Sequence, residues 1–375
     1  MQSSSTLFQH IKPFGYLLAL AVPALLPLGL YLGGLTGYLN LFTWLPMAVL
    51  FVMLPSADYL IGRDTHNLSE QDFNKLERQS LYQALTLLCL PIYLLLLFYA
   101  AGWFKSGQLS TAGMVGLVFS HGVIGGVVAI NAAHELIHKA NRFESTVGGL
   151  LLACVGYGTF KVEHLRGHHV HVSTPQDASS APFGQNVYAF VAQSIRRNVL
   201  SSFKLEADRL HKLEVSRFSW RNESLLLSAC SLLLLLSFGL YFGPLGALFF
   251  AVQAMVAIST LEVINYLEHY GLERKQLPSG RYERTTHLHS WNSSYLLTNL
   301  LLFQLQRHSD HHENPRRRYQ TLRHFDASPQ LPGGYSAMFL LALVPPLWFK
   351  VMNSRVPQTS QNSALNSAVI AIDGA

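Results

Sequence analysis

Charged residues are scarce in this sequence. Only 13% of its 375 residues are Asp, Glu, Lys or Arg, whereas 50% are hydrophobic. A soluble globular protein carries about 25% charged residues, so the composition argues against a soluble enzyme. Several apolar runs are instead long enough to cross a bilayer, which takes about 20 consecutive residues in a helix. The chain is therefore predicted to be an all-α membrane protein that lies in a lipid bilayer.

Cysteine is also rare. Cys89, Cys154 and Cys230 are the three in the chain, and each lies in an apolar segment. They do not form a Cys-x-x-Cys pair, which excludes a disulfide framework and an iron or zinc site built from thiolates. Any electrons that this protein uses must therefore come from a separate protein.

Six apolar stretches are predicted to span the membrane within a single domain, residues 1–352. The polar tail that follows, 353–375, is rich in Ser and Asn and is predicted to be disordered. The predicted spans are about 15–35, 39–62, 83–104, 113–133, 223–242 and 245–265.

The basic residues are distributed unevenly about these spans. With six crossings, both termini and the polar regions 161–221 and 266–335 fall on one side of the membrane. Of the 27 Lys and Arg residues, only Lys105 falls on the other side. Positive residues collect in cytoplasmic loops, so both termini and the polar regions are predicted to be cytoplasmic. The net charge of +6 then reflects the flanks of membrane helices, and nucleic acid is not an expected partner.

Histidines are clustered on the predicted cytoplasmic face. The segment 305–322 reads LQRHSDHHENPRRRYQTL, and smaller clusters occur in HELIHK (134–139), EHLRGHH (163–169) and EHYG (268–271). Spacings of three or four residues bring two imidazoles to one helix face. Nine imidazoles exceed what one ion can bind, so two metal ions are predicted. Imidazoles suit iron, copper, zinc or nickel, and with so few thiolates and carboxylates nearby, iron and zinc remain.

These clusters carry a resemblance to a known family. The chain resembles the integral-membrane alkane hydroxylases of the AlkB type, within the membrane desaturase–hydroxylase superfamily. The NYLEHYG and LQRHSDHH stretches distinguish this group from ordinary fatty-acid desaturases, and the similarity extends from the first span to about residue 325. The matching stretches are HELIHK, EHLRGHH, NYLEHYG (265–271), HSWNS (289–293) and LQRHSDHHENPRRRYQTL.

The resemblance implies a non-haem di-iron centre that uses O₂ to hydroxylate the terminal carbon of medium- or long-chain n-alkanes. The fold that it implies is six transmembrane helices with a cytoplasmic, histidine-rich di-iron cap, in a bacterial inner membrane. Electrons would come from a rubredoxin, which its own reductase reduces, and the iron pair would be the catalytic group. The iron ligands implied by the resemblance are His134, His138, His164, His168, His169, His269, His308, His311 and His312.

One loop departs from the family pattern. After HHVHV the family usually has an ATPEDP-like stretch followed by an arginine, whereas this chain reads STPQDASSAPFGQ (173–185). Asp177 is retained, but Ala178 and Pro182 stand where a proline and an arginine are expected. Asp177 is therefore the member of this loop that is expected to support a ligand.

Polar residues beside the histidines are expected to orient the imidazoles by accepting their second N–H group. Glu262 and Asn265 precede His269 by seven and four residues, on the same helix face. Ionisable residues inside a span are usually functional, which favours Glu262. Solvation at the membrane surface is the alternative for the acidic residues that neighbour ligands. These residues are Glu135, Glu163, Glu268 and Asp310.

An alkane dissolved in the bilayer would reach the metals through an apolar channel between helices. Val127 and Ile130 precede His134 by seven and four residues, and Phe51 lies on the second predicted span. These three side chains are expected to limit the length of the alkane, with packing or lipid contact as the alternative for each. His121 is a further candidate, although a hydrogen bond to a neighbouring helix explains it better.

Rubredoxins are acidic, so a basic surface on the cytoplasmic face is the expected docking site. Anchoring of the same arginines at the membrane surface is the alternative. The arginines expected there are Arg166, Arg196, Arg197, Arg316, Arg317 and Arg318.

Other functions remain open at this point. Fatty-acyl desaturation, or hydroxylation of an alkylarene such as xylene, would use the same scaffold. A metal transporter without catalysis belongs to another class. Transporters place their ligands near the bilayer midplane, whereas these histidines gather at the ends of helices. Metal content and reaction products would distinguish these functions.

Overall fold

The computed structural model describes Lys12, residues 14–358 and Gln361. This part of the chain is built of helices and loops, with isolated β-bridges in place of strands. Helices are expected here because a backbone in lipid must satisfy its own N–H and C=O groups. The predicted tail is described only at its start, where Asn353–Arg355 forms a 3₁₀ turn. Residues 359, 360 and 362–375 lie outside the described residues.

Within the described residues, five helices are long and apolar enough to cross a membrane. The chain is therefore a multi-pass membrane protein. The helix that corresponds to the second predicted span is α2, Leu45–Ile61, which has only 17 residues. At 1.5 Å per residue it is about 26 Å long, shorter than a bilayer core of about 30 Å. The five long helices are α1 (Leu17–Thr36), α4 (Ser80–Lys105), α5 (Thr111–Ile137), α9 (Glu223–Phe242) and α10 (Pro244–His269).

Other helices cover one end of this bundle or lie between the spans. The longest of them, α8, is amphipathic and has 26 residues. A single helical turn, Leu39–Phe42, precedes α2. The remaining helices, in chain order, are α3 (Glu70–Glu77), α6 (Arg142–Cys154), α7 (160–171), α8 (Val187–Lys212), α11 (Leu296–Leu301), α12 (His308–Glu313), α13 (Tyr335–Ala342) and α14 (Pro345–Met352).

Helices α5 and α10 form the centre of the bundle. The most apolar stretches of α5 and α10 are 72% and 56% buried inside the protein, compared with 17% for α9. Most of the surface of α9 is therefore available to contact lipid. Glycines on α5 permit a close approach to α10, as small residues do in membrane helix pairs. A Cβ atom at Gly122 would lie 2.5 Å from Val256, and one at Gly126 would lie 2.7 Å from Thr260. Both central helices continue beyond the predicted span ends at 133 and 265, so they carry histidines into the cap.

Three π-helical turns interrupt helices in the described part of the chain. They are Val49–Met53 in α2, Gly125–Ile130 in α5 and His164–His168 in α7. A π turn inserts one extra residue, which shifts the side chains that follow around the helix, and such turns are frequent at functional sites. All three turns contribute residues to the cavity described below.

Candidate metal centre

Nine histidines converge at the cap end of α5 and α10. In the described residues they form two groups, in each of which the candidate ligand atoms lie within 4.8 Å of one another. We name these groups the five-histidine group and the four-histidine group. The first consists of His134, His138, His164, His169 and His311, and the second of His168, His269, His308 and His312. These are the nine residues that the sequence predicts as ligands.

Regular helical spacing explains part of this arrangement. His134 and His138 lie four residues apart at the end of α5, and both belong to the five-histidine group. His308 and His312 have the same spacing on α12, and both belong to the four-histidine group. His311 lies directly before His312 on this helix, and it belongs to the five-histidine group although it is three residues from His308. Helix α12 therefore supplies both groups.

Helix α7 departs from this spacing because of its π turn. The backbone N–H of His169 donates to the carbonyl oxygen of His164, five residues earlier. This bond places His164 and His169 in one group and directs His168 to the other. A regular α-helix would have paired His164 with His168, as their spacing in the sequence suggests. One helix thus serves both groups.

The geometry of the ring nitrogens fits metal ions. His138 Nε2 lies 2.9 Å from His164 Nε2, which in turn lies 3.1 Å from His169 Nε2. A neutral imidazole has one N–H donor, so hydrogen bonds among the rings cannot account for all these convergent Nε2 atoms. The same convergence occurs in the four-histidine group, where His312 Nε2 lies 2.9 Å from His308 Nε2.

The electrostatics of the cap favour neutral rings. Burial, followed by the neighbouring imidazoles, lowers the pKa of His164, His311 and His312 well below the usual value for histidine. Metals bind neutral imidazole, because a protonated nitrogen has no lone pair to donate. Both the geometry and the protonation state of these residues therefore fit the metal ions that the sequence predicts.

Asp177 orients His168 through the Nδ1 atom of its ring, on the side opposite the Nε2 atom. Its carboxylate lies 2.9 Å from His168 Nδ1, and it also accepts a 2.6 Å hydrogen bond from the hydroxyl of Ser180. Burial alone would raise the pKa of Asp177, but His168 and Ser180 lower it below the usual value. The carboxylate is therefore ionised and holds the Nε2 atom of His168 toward the four-histidine group. Asp177 keeps this contact even though its loop departs from the family pattern.

Replacing Asp177 with asparagine is expected to weaken metal binding by about 10- to 100-fold, because the imidazole loses its ionised acceptor. The measurement is the metal content of purified protein after dialysis against a graded series of chelator concentrations. Gln176→Glu, in the same loop but exposed, serves as the control. Equal retention of metal by Asp177→Asn and the wild type would contradict this orienting role.

Glu268 contacts the four-histidine group from the membrane side. One carboxylate oxygen lies 3.3 Å from His308 Nε2, and the other accepts a 3.0 Å hydrogen bond from the hydroxyl of Tyr335. The sequence indicates Glu268 through its position beside His269, but it gives no sign of Tyr335. That residue lies beyond the last histidine cluster, and only the tertiary fold brings it to the site.

Glu135 and Asp310 support the chain that carries the ligands, rather than the rings. Glu135 pairs with Lys139 at 2.7 Å and accepts the backbone N–H of Tyr319 at 3.3 Å. Asp310 is fully buried and pairs with Arg317 at 2.5 Å and Arg323 at 3.1 Å. These contacts hold the segment that follows α12 against α12 and against α5.

Glu262 lies at the centre of a buried polar network. Its carboxylate accepts hydrogen bonds from Tyr157 at 2.6 Å and from Asn265 at 3.1 Å, and Ser194 and Asn198 of α8 donate to it as well. Its contacts are thus with groups that join α8 to α10 rather than with an imidazole.

Glu163 is a second buried carboxylate near the metal centre. Burial, followed by the charge of Asp177, raises its pKa well above the usual value for a carboxyl group. One oxygen of its carboxyl group has no hydrogen-bond partner among the described residues. The expected contact of Glu163 with an imidazole therefore stays a prediction.

An apolar cavity extends from the two histidine groups between α2, α5, α10 and α13. Phe51, Val127 and Ile130 line it, as the sequence predicts. His121 lies outside that lining and packs between Tyr93 and Phe249, with ring centroids 5.1 and 5.2 Å away. Sequence reasoning missed several apolar lining residues, because most of them come from helices that carry no histidine of the site. The missed residues include Leu50, Leu261, Leu301, Leu302 and Phe339. Leu261 is the exception, since it lies eight residues before His269 on α10, where helical spacing could have found it.

Most of the predicted docking arginines make internal contacts. Arg166 pairs with Glu206, and Arg318 pairs with Glu144 at 2.9 Å. Arg197 donates to the backbone carbonyls of Pro175 and Gln176, and Arg317 pairs with Asp310 as described. Arg196 and Arg316 are exposed. The exposed pair therefore fits a docking role better than the other four.

Comparison with known proteins agrees with this site. The profile of the fatty acid desaturase family matches residues 109–342. Alkane 1-monooxygenase 2 of Pseudomonas aeruginosa is 47% identical over 94% of this chain and 94% of its own length. Alkane 1-monooxygenase 2 of Alcanivorax borkumensis is 45% identical over 92% and 91%.

A more distant relative bears on one of the open alternatives. The xylene/toluene monooxygenase hydroxylase component of Pseudomonas putida is 27% identical over 87% of this chain and 84% of its own length. The similarity to the alkane enzymes is much greater, and a metal transporter is not supported. The chain belongs to the fatty acid desaturase family and, within it, to the alkane 1-monooxygenases.

Proposed function

We propose that this alkane 1-monooxygenase hydroxylates medium- or long-chain n-alkanes at a non-haem di-iron centre, with O₂ and with electrons from a rubredoxin. The reaction consumes an alkane, O₂, two electrons and two protons, and it yields a 1-alkanol and water. The observation that carries the proposal is the convergence of two histidine groups at the inner end of an apolar cavity. Each group would hold one iron ion, and the pair would supply the oxidising chemistry.

The residues of the chain have separate tasks in this proposal. The apolar lining takes the alkane from the bilayer and excludes water from the metal end. His134, His164 and His308 belong to both the cavity lining and the histidine groups, so they mark where the terminal methyl group would stop. Asp177 fixes the orientation of His168, and Glu268 lines the cavity beside His308.

We also propose the membrane arrangement in full. Helix α2 would cross with local thinning of the bilayer and would complete six spans in one domain, residues 1–352. The histidine cap and both termini would lie in the cytoplasm, on the inner membrane of a bacterium. The one-sided distribution of Lys and Arg supports this orientation. Two cysteine variants would test this orientation. A thiol reagent that does not cross the membrane should label Lys105→Cys from the periplasmic side of intact cells, whereas it should label Arg316→Cys only after lysis.

The function is tested in whole cells that express the chain with a rubredoxin and its reductase. We expect 1-alkanol from n-alkanes of graded length, and loss of product when the rubredoxin is omitted. Xylene and a fatty-acyl substrate are supplied in parallel. A desaturated acyl chain or a methylbenzyl alcohol as the main product would overturn the proposal, as would purified protein that contains zinc in place of iron.

Phe51 is proposed to limit the length of the alkane, since it lines the cavity and packs against Phe339 with ring centroids 5.0 Å apart. Phe51→Ser is expected to raise product from longer alkanes. Each buried methylene contributes about 0.8 kcal/mol, so room for two more carbons raises their relative rate by about tenfold. The measurement is the product profile across chain lengths. Phe119→Ser, on the exposed face of α5, is the control, and an unchanged profile in Phe51→Ser would contradict the role.

Arg196 and Arg316 are proposed to bind the acidic electron donor. Reversing both charges, Arg196→Glu with Arg316→Glu, is expected to raise the KM for rubredoxin by about tenfold at low salt, since steering depends on charge complementarity. The difference should shrink as the salt concentration rises. Lys105→Glu, at the other end of the bundle, is the control. A KM for rubredoxin that does not change in the double variant would assign these arginines to the membrane surface.

A further inference from the structure

Asn131 is a buried residue that lines the large cavity at its metal end, beside His134. It lies on α5, three residues before His134 and directly after the π turn Gly125–Ile130, and it is only 5% exposed. Asn131 lines the large apolar cavity and also a second, much smaller cavity. His134 and Leu305 also line both cavities. Asn131 thus stands beside the five-histidine group and forms part of the wall of both cavities.

Apart from the ring nitrogens of the histidines, the other buried amide and hydroxyl donors named in the lining of the large cavity are engaged. Asn265 donates to Glu262 at 3.1 Å, Tyr335 donates to Glu268 at 3.0 Å, and Thr260 donates to the carbonyl oxygen of Val256 at 2.8 Å. The side-chain amide nitrogen of Asn131 has no hydrogen-bond partner among the described residues. Buried donors are almost always paired, so a free amide at the reactive end of a cavity indicates a ligand that accepts a hydrogen bond.

An alkane cannot be that ligand, because it has no acceptor atom. The 1-alkanol formed from it can, since its hydroxyl oxygen accepts hydrogen bonds. We propose that the side-chain amide of Asn131 binds the hydroxyl oxygen of the alcohol, so that the cavity contains a subsite for the product that the substrate does not use. This inference rests on the hydroxylation of alkanes at their terminal carbon. The hydroxyl then arises beside His134, on the same face of α5 as Asn131.

The subsite has a functional consequence. The amide replaces a hydrogen bond that the hydroxyl of the alcohol loses when it leaves water, so the product binds more tightly and leaves more slowly than it would in a cavity without this donor. The smaller cavity, which Asn131 also lines, brings two further polar residues near this amide, because Glu135 and His311 line it as well. A hydroxyl group bound by Asn131 would therefore have polar groups nearby, while the alkyl chain remains among the apolar side chains of the large cavity.

The test compares the binding of 1-octanol and octane to metal-loaded protein in lipid nanodiscs. Affinity is read from the rise in unfolding temperature with ligand concentration, and inhibition of turnover by 1-octanol is measured in parallel. Asn131→Leu removes the donor at similar volume. We expect its affinity for 1-octanol to fall by about 3- to 10-fold, the usual effect of one hydrogen bond, while its affinity for octane stays within about twofold. Asn131→Gln, which keeps an amide, is expected to retain part of the preference for 1-octanol.

Leu261→Val is the matched control, because Leu261 lines the same cavity with an apolar side chain. It should change the affinities for octane and 1-octanol by the same factor. An equal loss of both affinities in Asn131→Leu would overturn the inference. So would unchanged binding of 1-octanol together with more hydrogen peroxide released per electron pair, which would assign the amide to oxygen instead. The thermal measurement needs no turnover, so its outcome is separate from that of the experiment on function.

Discussion

Substituting His308 with alanine is expected to abolish 1-alkanol formation and to lower the iron content of the protein by about half or more. His308 Nε2 lies 2.9 Å from His312 Nε2 and 3.2 Å from His269 Nε2, at the centre of the four-histidine group. Removing a residue that only orients a ligand costs about 10- to 100-fold in affinity or activity. Loss of the ligand itself should therefore cost more than about 100-fold.

The measurement pairs iron analysis of purified protein with gas chromatography of products from the same cells. His211→Ala is the control, because His211 is exposed at the end of α8 and belongs to neither group. His134→Ala should give the same result for the five-histidine group. A His308→Ala protein with wild-type iron and wild-type product would remove His308 from the ligand set.

Replacing Asp310 with alanine is expected to lower the free energy of unfolding by about 3–5 kcal/mol, the usual cost of removing one partner of a buried ion pair. The carboxylate is fully buried, and it binds Arg317, Arg323 and the side-chain amide of Asn314. Without it, the guanidinium of Arg317 is left largely buried and uncompensated. The segment that holds α12 in place then loosens.

Thermal unfolding of the purified protein measures this loss, and iron content shows whether the metal centre fails with it. Glu313→Gln provides the control. Glu313 lies three residues from Asp310 and is partly exposed, and its carboxylate is 3.6 Å from His287 Nδ1, which is beyond hydrogen-bonding distance. Its effect should stay within about 0.5 kcal/mol. If Asp310→Ala unfolds at the temperature of the wild type, the carboxylate does not hold α12.

The sequence predicts the nine histidines of the site because their spacing and their position at helix ends are local properties. It also predicts the apolar residues in helical register with His134, since Val127 and Ile130 share its face. It does not predict how the histidines divide, because a π turn is set by tertiary packing and leaves no periodic signal. The sequence therefore suggests His164 with His168, whereas the structure pairs His164 with His169.

Charge pairs show the same limit. A run of three arginines predicts a basic surface, but Arg317 and Arg318 are bound to Asp310 and Glu144. Glu144 lies 174 residues away along the chain, so no local pattern links it to Arg318. Hydropathy likewise predicts a second span at 39–62, whereas the continuous helix begins only at Leu45.

The π turn in α7 also couples the assembly of the two histidine groups. Because α7 and α12 each supply both groups, neither group can be completed without placing residues of the other. If each group holds one ion, as proposed, filling one group restricts the backbone that forms the other and removes part of the ordering cost of the second ion. The two ions should therefore load cooperatively, and preparations with limiting iron should contain mainly fully loaded and empty molecules.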